Sequence, residues 1–150
     1  MPEIYVDGDA CPVKDEVLKV SARHHLVVHL VSNKALRADP NPLLHRVMVA
    51  EGPDAADDWI VEHIVAGDIA VTADIPLAAR CLAKGATALG PTGKPFTTES
   101  IGMALAMRDL NAHLRDTGAL KGSNPSFTRQ DRSRFLQALE NAIQAWRRRI

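Results

Sequence analysis

The stretch "GDIAVTADIPLAARCLAKGATALG", Gly67 to Gly90, sets the fold class. "DIAVTAD" reads as a short buried strand, "IPLAARCLAKG" as a helix ended by Gly85, and "ATALG" as a further strand. Working outward gives the same alternation. Upstream, Ile4 to Val6 reads as a first strand, and a helix follows from about Val13 to His25, with Pro12 suited to its first turn because a missing N–H costs nothing there. "LVVHLVS", Leu26 to Ser32, and "RVMVA", Arg46 to Ala50, are β-branched runs separated by a polar loop, Asn33 to His45. "PDAADDWIVEHIV" then opens on Asp54 as N-cap and places acids in the first turn, predicting a helix to about Ala66 that Gly67 stops. Strands alternating with helices predict an α/β chain: a Rossmann-like three-layer α/β/α sandwich on a mostly parallel five-stranded sheet with right-handed crossovers.

After Pro95 the pattern turns helical. "TTESIGMALAMRDLNAHLRDTG" and "TRQDRSRFLQALENAIQAWRRRI" flank a polar "ALKGSNPSF" loop. With no composition break, these read as helices added to the same core, so residues 1–150 are expected to form one domain. At 46% apolar and 24% charged residues the chain has an ordinary globular composition. No apolar run reaches the ~18 residues of a membrane span, and "MPEIYVD" has neither the basic start nor the apolar middle of an export signal, so no membrane association and a cytoplasmic location are expected. Cys11 and Cys81 form no Cys-x-x-Cys pair, which argues against both a disulfide framework and a thiolate zinc site. The net charge is zero but unevenly spread: residues 1–107 hold 9 Lys/Arg against 14 Asp/Glu, and residues 108–150 hold 9 against 4.

In an open parallel sheet, ligands bind beyond the C-terminal ends of the strands. Asp7 and Asp9 follow the first strand, Asp74 follows the fourth, and Asp54, Asp57 and Asp58 open the helix after the third. Six acids are therefore expected at one edge. Gathered carboxylates repel and raise one another's pKa, and a divalent cation relieves the conflict. Carboxylate and water oxygens suit Mg²⁺ or Mn²⁺, and no His or Cys array competes for a softer ion. An angular reckoning at 100° per residue turns Ala56, Trp59, Ile60 and Ile64 to the core, with Asp57 nearer that face than Asp58. Asp57 is thus the expected inward ligand, and Asp54 and Asp58 are alternates. Each acid alone has a plainer use: Asp7, Asp54 and Asp74 each stand where a helix cap would. Such a pocket suits attack of metal-activated water on a phosphodiester, with Asp7, Asp57 and Asp74 as its central residues. Lys14, Ser32, Asn33 and Thr72, near strand ends or a first helical turn, could donate to a phosphate.

"VDGDACPVKDEV", "GPDAADDWIVEHI", "GDIAVTADIPLAARCLAKGA" and "FTRQDRSRFLQALE" together resemble the YaiI/YqxD family of bacterial proteins over nearly the whole chain. That family is similar to the PIN-like nucleases, the NYN group among them. The resemblance implies a PIN-type sheet, an acidic pocket for Mg²⁺ or Mn²⁺, and ribonuclease-type activity. By position, Asp7 matches the acid ending the first strand, Asp54 with Asp57 or Asp58 matches those opening the middle helix, and Asp74 matches the first acid of NYN-type "SGDSD" motifs. The second acid of that motif falls at Pro76, and Asp9 is extra.

Two other readings stand beside this one. "IYVDGDAC" and "VVHLVSN" resemble two motifs of haloacid-dehalogenase-type phosphatases, with Asp7 as nucleophile, but no third-motif Lys is evident and that scheme needs no acid-rich middle helix. A non-catalytic metal- and RNA-binding module would use the basic segment: Arg108, Arg115, Lys121, Arg129, Arg132, Arg134 and Arg147 to Arg149. Phe135 and Trp146 sit at core-facing helical spacing. "GPTGK", Gly90 to Lys94, lacks full phosphate-loop spacing and reads as a glycine turn, and His24 and His25 at a helix end are expected to meet its carbonyls.

Overall fold

The structure is a computed structural model describing residues 2–8, 12–33, 41–50, 54–103, 106–107 and 127–148. Its elements run β1 (Ile4–Asp7), α1 (Lys14–His24), β2 (Val28–Ser32), β3 (Leu44–Met48), α2 (Ala55–His63), β4 (Ile69–Val71), α3 (Ile75–Ala83), β5 (Thr87–Leu89), β6 (Pro95–Phe96), the helical residues 98–103 as α4, and α5 (Arg129–Arg148). The sheet order is β3-β2-β1-β4-β5-β6, parallel except at β6. The strand order reverses between β1 and β4, which makes their C-terminal ends the switch point of a Rossmann-like sheet.

The period of two along each strand sorts side chains onto two faces. Ile4, Val6, Val28, Leu30, Ile69, Val71 and Leu89 pack with Val13, Val17 and Val20 beside α1, and with Phe135, Leu139 and Ile143 of α5. Tyr5, Val31 and Ala70 face the other way, against Ile60 of α2, Ile64, and Leu77 and Cys81 of α3. Extending that alternation by one residue puts Asp7 and Thr72 on the α2/α3 side. The register pairs Val6 with Val71, so Asp7 and Thr72 are neighbours across the switch point.

Several boundaries differ from the sequence reading, each for a local reason. Strand β3 begins at Leu44 because Asn41 takes the N–H groups of Leu43 and Leu44, fixing where the edge strand joins β2. Helix α2 ends at His63, not near Gly67: Ile64 turns extended (φ −68, ψ 142) and is fully buried, while the Val65 N–H goes to Asp68. A sixth strand joins the expected five. Gly90 to Lys94 is the tight turn before it, with Gly93 at φ +90, where a Cβ would lie 2.7 Å from the Arg134 backbone. Pro95 is tolerated because its strand lies at the sheet edge. At the end of α1, His25 takes the left-handed conformation (φ 56) and its backbone N–H caps the helix. The His24 ring turns away from the helix carbonyls to Glu140 of α5, 2.6 Å away.

Thr128 and Asp131 exchange hydrogen bonds at the start of α5, each side chain accepting from the other's N–H, at 2.9 and 3.1 Å. Arg132 then donates to the Pro12 carbonyl and to Glu16, at 2.9 and 3.0 Å. Since α1 starts beyond the C-terminal end of β1, this strut brings the first turns of α5 to the same edge of the sheet. Phe135 is fully buried, as its spacing predicts, whereas Trp146 is half-buried. Among the described residues no helix is long and apolar enough to cross a membrane.

Candidate active site

Strands β1 and β4 end side by side, and the chain leaving β4 turns at once into α3. Thr72, itself buried, links the two ends. Its hydroxyl donates to Asp7 Oδ2 at 3.0 Å and accepts from the Asp74 N–H at 2.9 Å. Asp74 in turn caps α3, with Oδ1 accepting from the Leu77 N–H at 3.0 Å. The capping use foreseen for Asp74 is therefore real, and the opposite carboxylate oxygen has no part in that bond. Asp7 is not the cap of α1, whose N-cap is Val13. Asp54 occupies the N-cap position of α2, but its side chain makes no capping hydrogen bond.

Helix α2 brings the remaining acids. Ala56 and Ile60 are buried, and Asp57 is half-buried beside them. Burial first, and then the charges of Asp74, Asp7 and Asp54, push the Asp57 carboxyl up to about 6, against a smaller opposing pull from Arg80. Acids from three separated segments thus act on Asp57 at this edge. Asp58 turns outward and pairs with Arg80 on α3 at 3.0 Å.

Electrostatic range exceeds ligand range. Among the described residues, no group of three His, Cys, Asp or Glu side chains is close enough to hold a metal ion. The acids are electrostatic neighbours and not a preassembled cage, and for coordination the shorter-range criterion decides. Mg²⁺ does not require a cage: it keeps several waters and commonly takes one or two carboxylates together with substrate phosphates. The donor chemistry and the crowding of acids around Asp57 fit such an ion.

The other sequence-nominated residues are placed as follows. Asp9 and Arg108 lie outside the described residues, as do Cys11, Arg115, Lys121 and Arg149. Ser32 is buried at the C-terminal end of β2, next to Asn33, and Lys14 opens α1, so all three stand near the edge. The Thr72 hydroxyl is engaged between Asp7 and Asp74. The Arg132 guanidinium spans α5 and α1 and stacks 4.8 Å from the Phe127 ring centre.

Sequence reasoning missed Arg80, whose partner lies 22 residues away and is reached only because α2 and α3 pack side by side. It also missed a polar-aromatic row: Tyr5, His29 and His45 sit opposite one another on β1, β2 and β3, with Trp59 and His63 of α2 stacked 3.9 Å apart nearby. The Tyr5 ring stacks on His29 at 4.5 Å and its hydroxyl donates to the His63 carbonyl at 3.1 Å. Burial, with Glu3 and Asp68 adding, pushes that phenol up to about 12. The signal lay in the shared strand position of these rings, which has no meaning until the register is known. Cys81 is fully buried, and burial pushes its thiol up to about 11, leaving an inert thiol.

A Rossmann-like sheet with carboxylates gathered near its switch point defines an α/β protein with an acidic edge. A family model described as "Uncharacterized BCR, YaiI/YqxD family" matches residues 5–145, and the chain belongs to that family. A UPF0178 protein of Parvibaculum lavamentivorans is 61% identical over 149 residues, covering 99% of this chain and 98% of its own. A UPF0178 protein of Rhodospirillum rubrum is 60% identical over 147 residues, with 97% and 98% covered. No solved structure matches.

Proposed function

We propose that the acidic edge holds Mg²⁺ or Mn²⁺ and hydrolyses phosphodiesters, with RNA as the expected substrate. The observation that carries this reading is the crowding of Asp57 by Asp74, Asp7 and Asp54, charge that a divalent cation would neutralise. One or two of Asp57, Asp74 and Asp7 would hold the ion directly, and the others would meet it through its waters. When bound, it supplies Lewis-acid polarisation of the phosphate and a lowered pKa for water.

The protein's own residues set the geometry. Thr72 holds Asp7 in one orientation and ties it to the start of α3. Capping fixes Asp74 on a rigid helix end. Arg129 and Arg134, both exposed in the first turns of α5, stand at the edge that Arg132 fastens to α1, where they can meet a polyanion. The involvement of α2 favours this reading over a phosphatase with Asp7 as nucleophile, which would have no use for Asp57.

Calorimetric titration with Mn²⁺ and Mg²⁺, on wild type and Asp7→Asn/Asp74→Asn, tests the site. A panel of RNA and DNA substrates tests the reaction. Wild type should bind the ion and cleave RNA, and the double variant should do neither. Ion binding indifferent to both substitutions would remove the site.

A further inference from the structure

We propose that Arg80 forms a phosphate-binding subsite, taking the phosphate next along the strand from the one at Asp7, Asp57 and Asp74; this rests on the phosphodiester reading above. Arg80 follows the capping Asp74 by six residues, about 9 Å along the axis at the helical rise. Side chains on a helix lean towards its N-terminus, so the guanidinium returns towards the acidic edge. There its Nη1 donates to Asp58 Oδ1 at 3.0 Å. Asp58 is the neighbour of Asp57 in the first turn of α2, so the guanidinium bridges α2 and α3 beside the crowded acids. Its charge reaches Asp57, where it opposes the like-charge crowding.

The group is accessible, with the Arg80 side chain 46% exposed and that of Asp58 55%. An exposed pair of this kind is weak, whereas a forked guanidinium binds phosphate through two parallel hydrogen bonds. Asp58 can therefore hold Arg80 in place and yield it to a phosphate. Among the described neighbours, Lys84 donates to the Val61 carbonyl, and the His63 ring stacks on Trp59 and bonds to its carbonyl. An acidic edge repels the strand it must take, and a divalent ion compensates only at the reacting phosphate. Arg80 answers the same repulsion one step along.

The test compares wild type, Arg80→Ala and Arg80→Lys on a short single-stranded RNA with Mn²⁺. Cleavage kinetics are followed, together with RNA binding across a KCl series. Arg80→Ala should raise KM about tenfold with kcat within about twofold, as for loss of one charge-assisted contact. The log–log salt slope of binding should fall by about 0.7. Arg80→Lys should recover part of the KM and most of the slope, because charge survives but the fork does not. Unchanged KM and slope in Arg80→Ala, with wild type cleaving, would overturn the subsite alone. A collapse of kcat at constant KM would overturn it too, by placing Arg80 in the chemical step. Wild type that neither binds nor cleaves RNA would overturn the reading beneath it as well.

Discussion

Strands β1 and β4 lie side by side, and each end of the pair carries a buried aspartate put to a different use. At the N-terminal end, Asp68 is 4% exposed, and its two oxygens accept from the N–H groups of Glu3 and Val65 at 3.0 and 3.1 Å. It ties β1, β4 and the end of α2 together. At the C-terminal end, Asp7 is 8% exposed and faces Asp57 and Asp74. One end answers a carboxylate with backbone donors, while at the other the Thr72 hydroxyl donates to a carboxylate that stands among further acids. Burial of an aspartate therefore says little about function; what faces it decides.

The sharpest way to break this comparison is to neutralise the crowded end. Asp7→Asn/Asp74→Asn should lower RNA cleavage by roughly 10³-fold, since both metal-facing charges go. Stability should hold, because Asn still accepts from Thr72 and still caps α3. Thermal melts alongside the cleavage assay would show a folded, inactive protein.

Next in size is the satisfied end. Asp68→Ala strands two N–H groups and should cost about 3 kcal/mol in urea unfolding, with Asp68→Asn milder because one carbonyl oxygen remains. A cost near zero would mean that water replaces the carboxylate and that the two ends differ less than the hydrogen bonds imply.

A smaller effect separates the ends by pH. The folded pKa of Asp57, about 6, lies above its ordinary 3.8, so the native state holds the extra proton between those values. The penalty for ionising Asp57 is absent below pH 3.8, grows as pH rises through that window, and is complete above about 6. Asp57→Asn should therefore melt higher than wild type at pH 7.5, by about 2 °C given its partial exposure, and the gap should close towards pH 4. Millimolar Mg²⁺ should raise the wild-type melting temperature at pH 7.5 and leave that of Asp57→Asn nearly unmoved. The smallest change is expected at the exposed pair: Asp58→Asn should alter stability by less than about 1 kcal/mol in the same melts.

The α/β alternation was legible because strand runs and helix periodicity are local signals. The acids at strand ends followed from one general rule about parallel sheets. The choice of Asp57 over Asp58 as the inward acid was also legible, since angular position on a helix needs only the neighbours Ala56 and Ile60. Less visible were the elements fixed by a distant partner. The end of α2 depends on Asp68 taking the Val65 N–H, β6 on pairing with β5, and the His24 ring on Glu140 of α5. The reciprocal cap of Thr128 and Asp131 is local and could have been read from "TRQD".

By itself the sequence determined the alternation of strands and helices, though not β6 or the end of α2, and that Asp7, Asp57 and Asp74 belong to segments ending or beginning at the sheet's C-terminal edge. Tertiary structure alone decided the strand order that makes β1 and β4 neighbours, and with it the bridge from Thr72 to Asp7. It also decided how closely the acids approach and that Arg80 stands beside them. Periodicity is written in a few adjacent residues, whereas the distance between two side chains depends on every element packed between them.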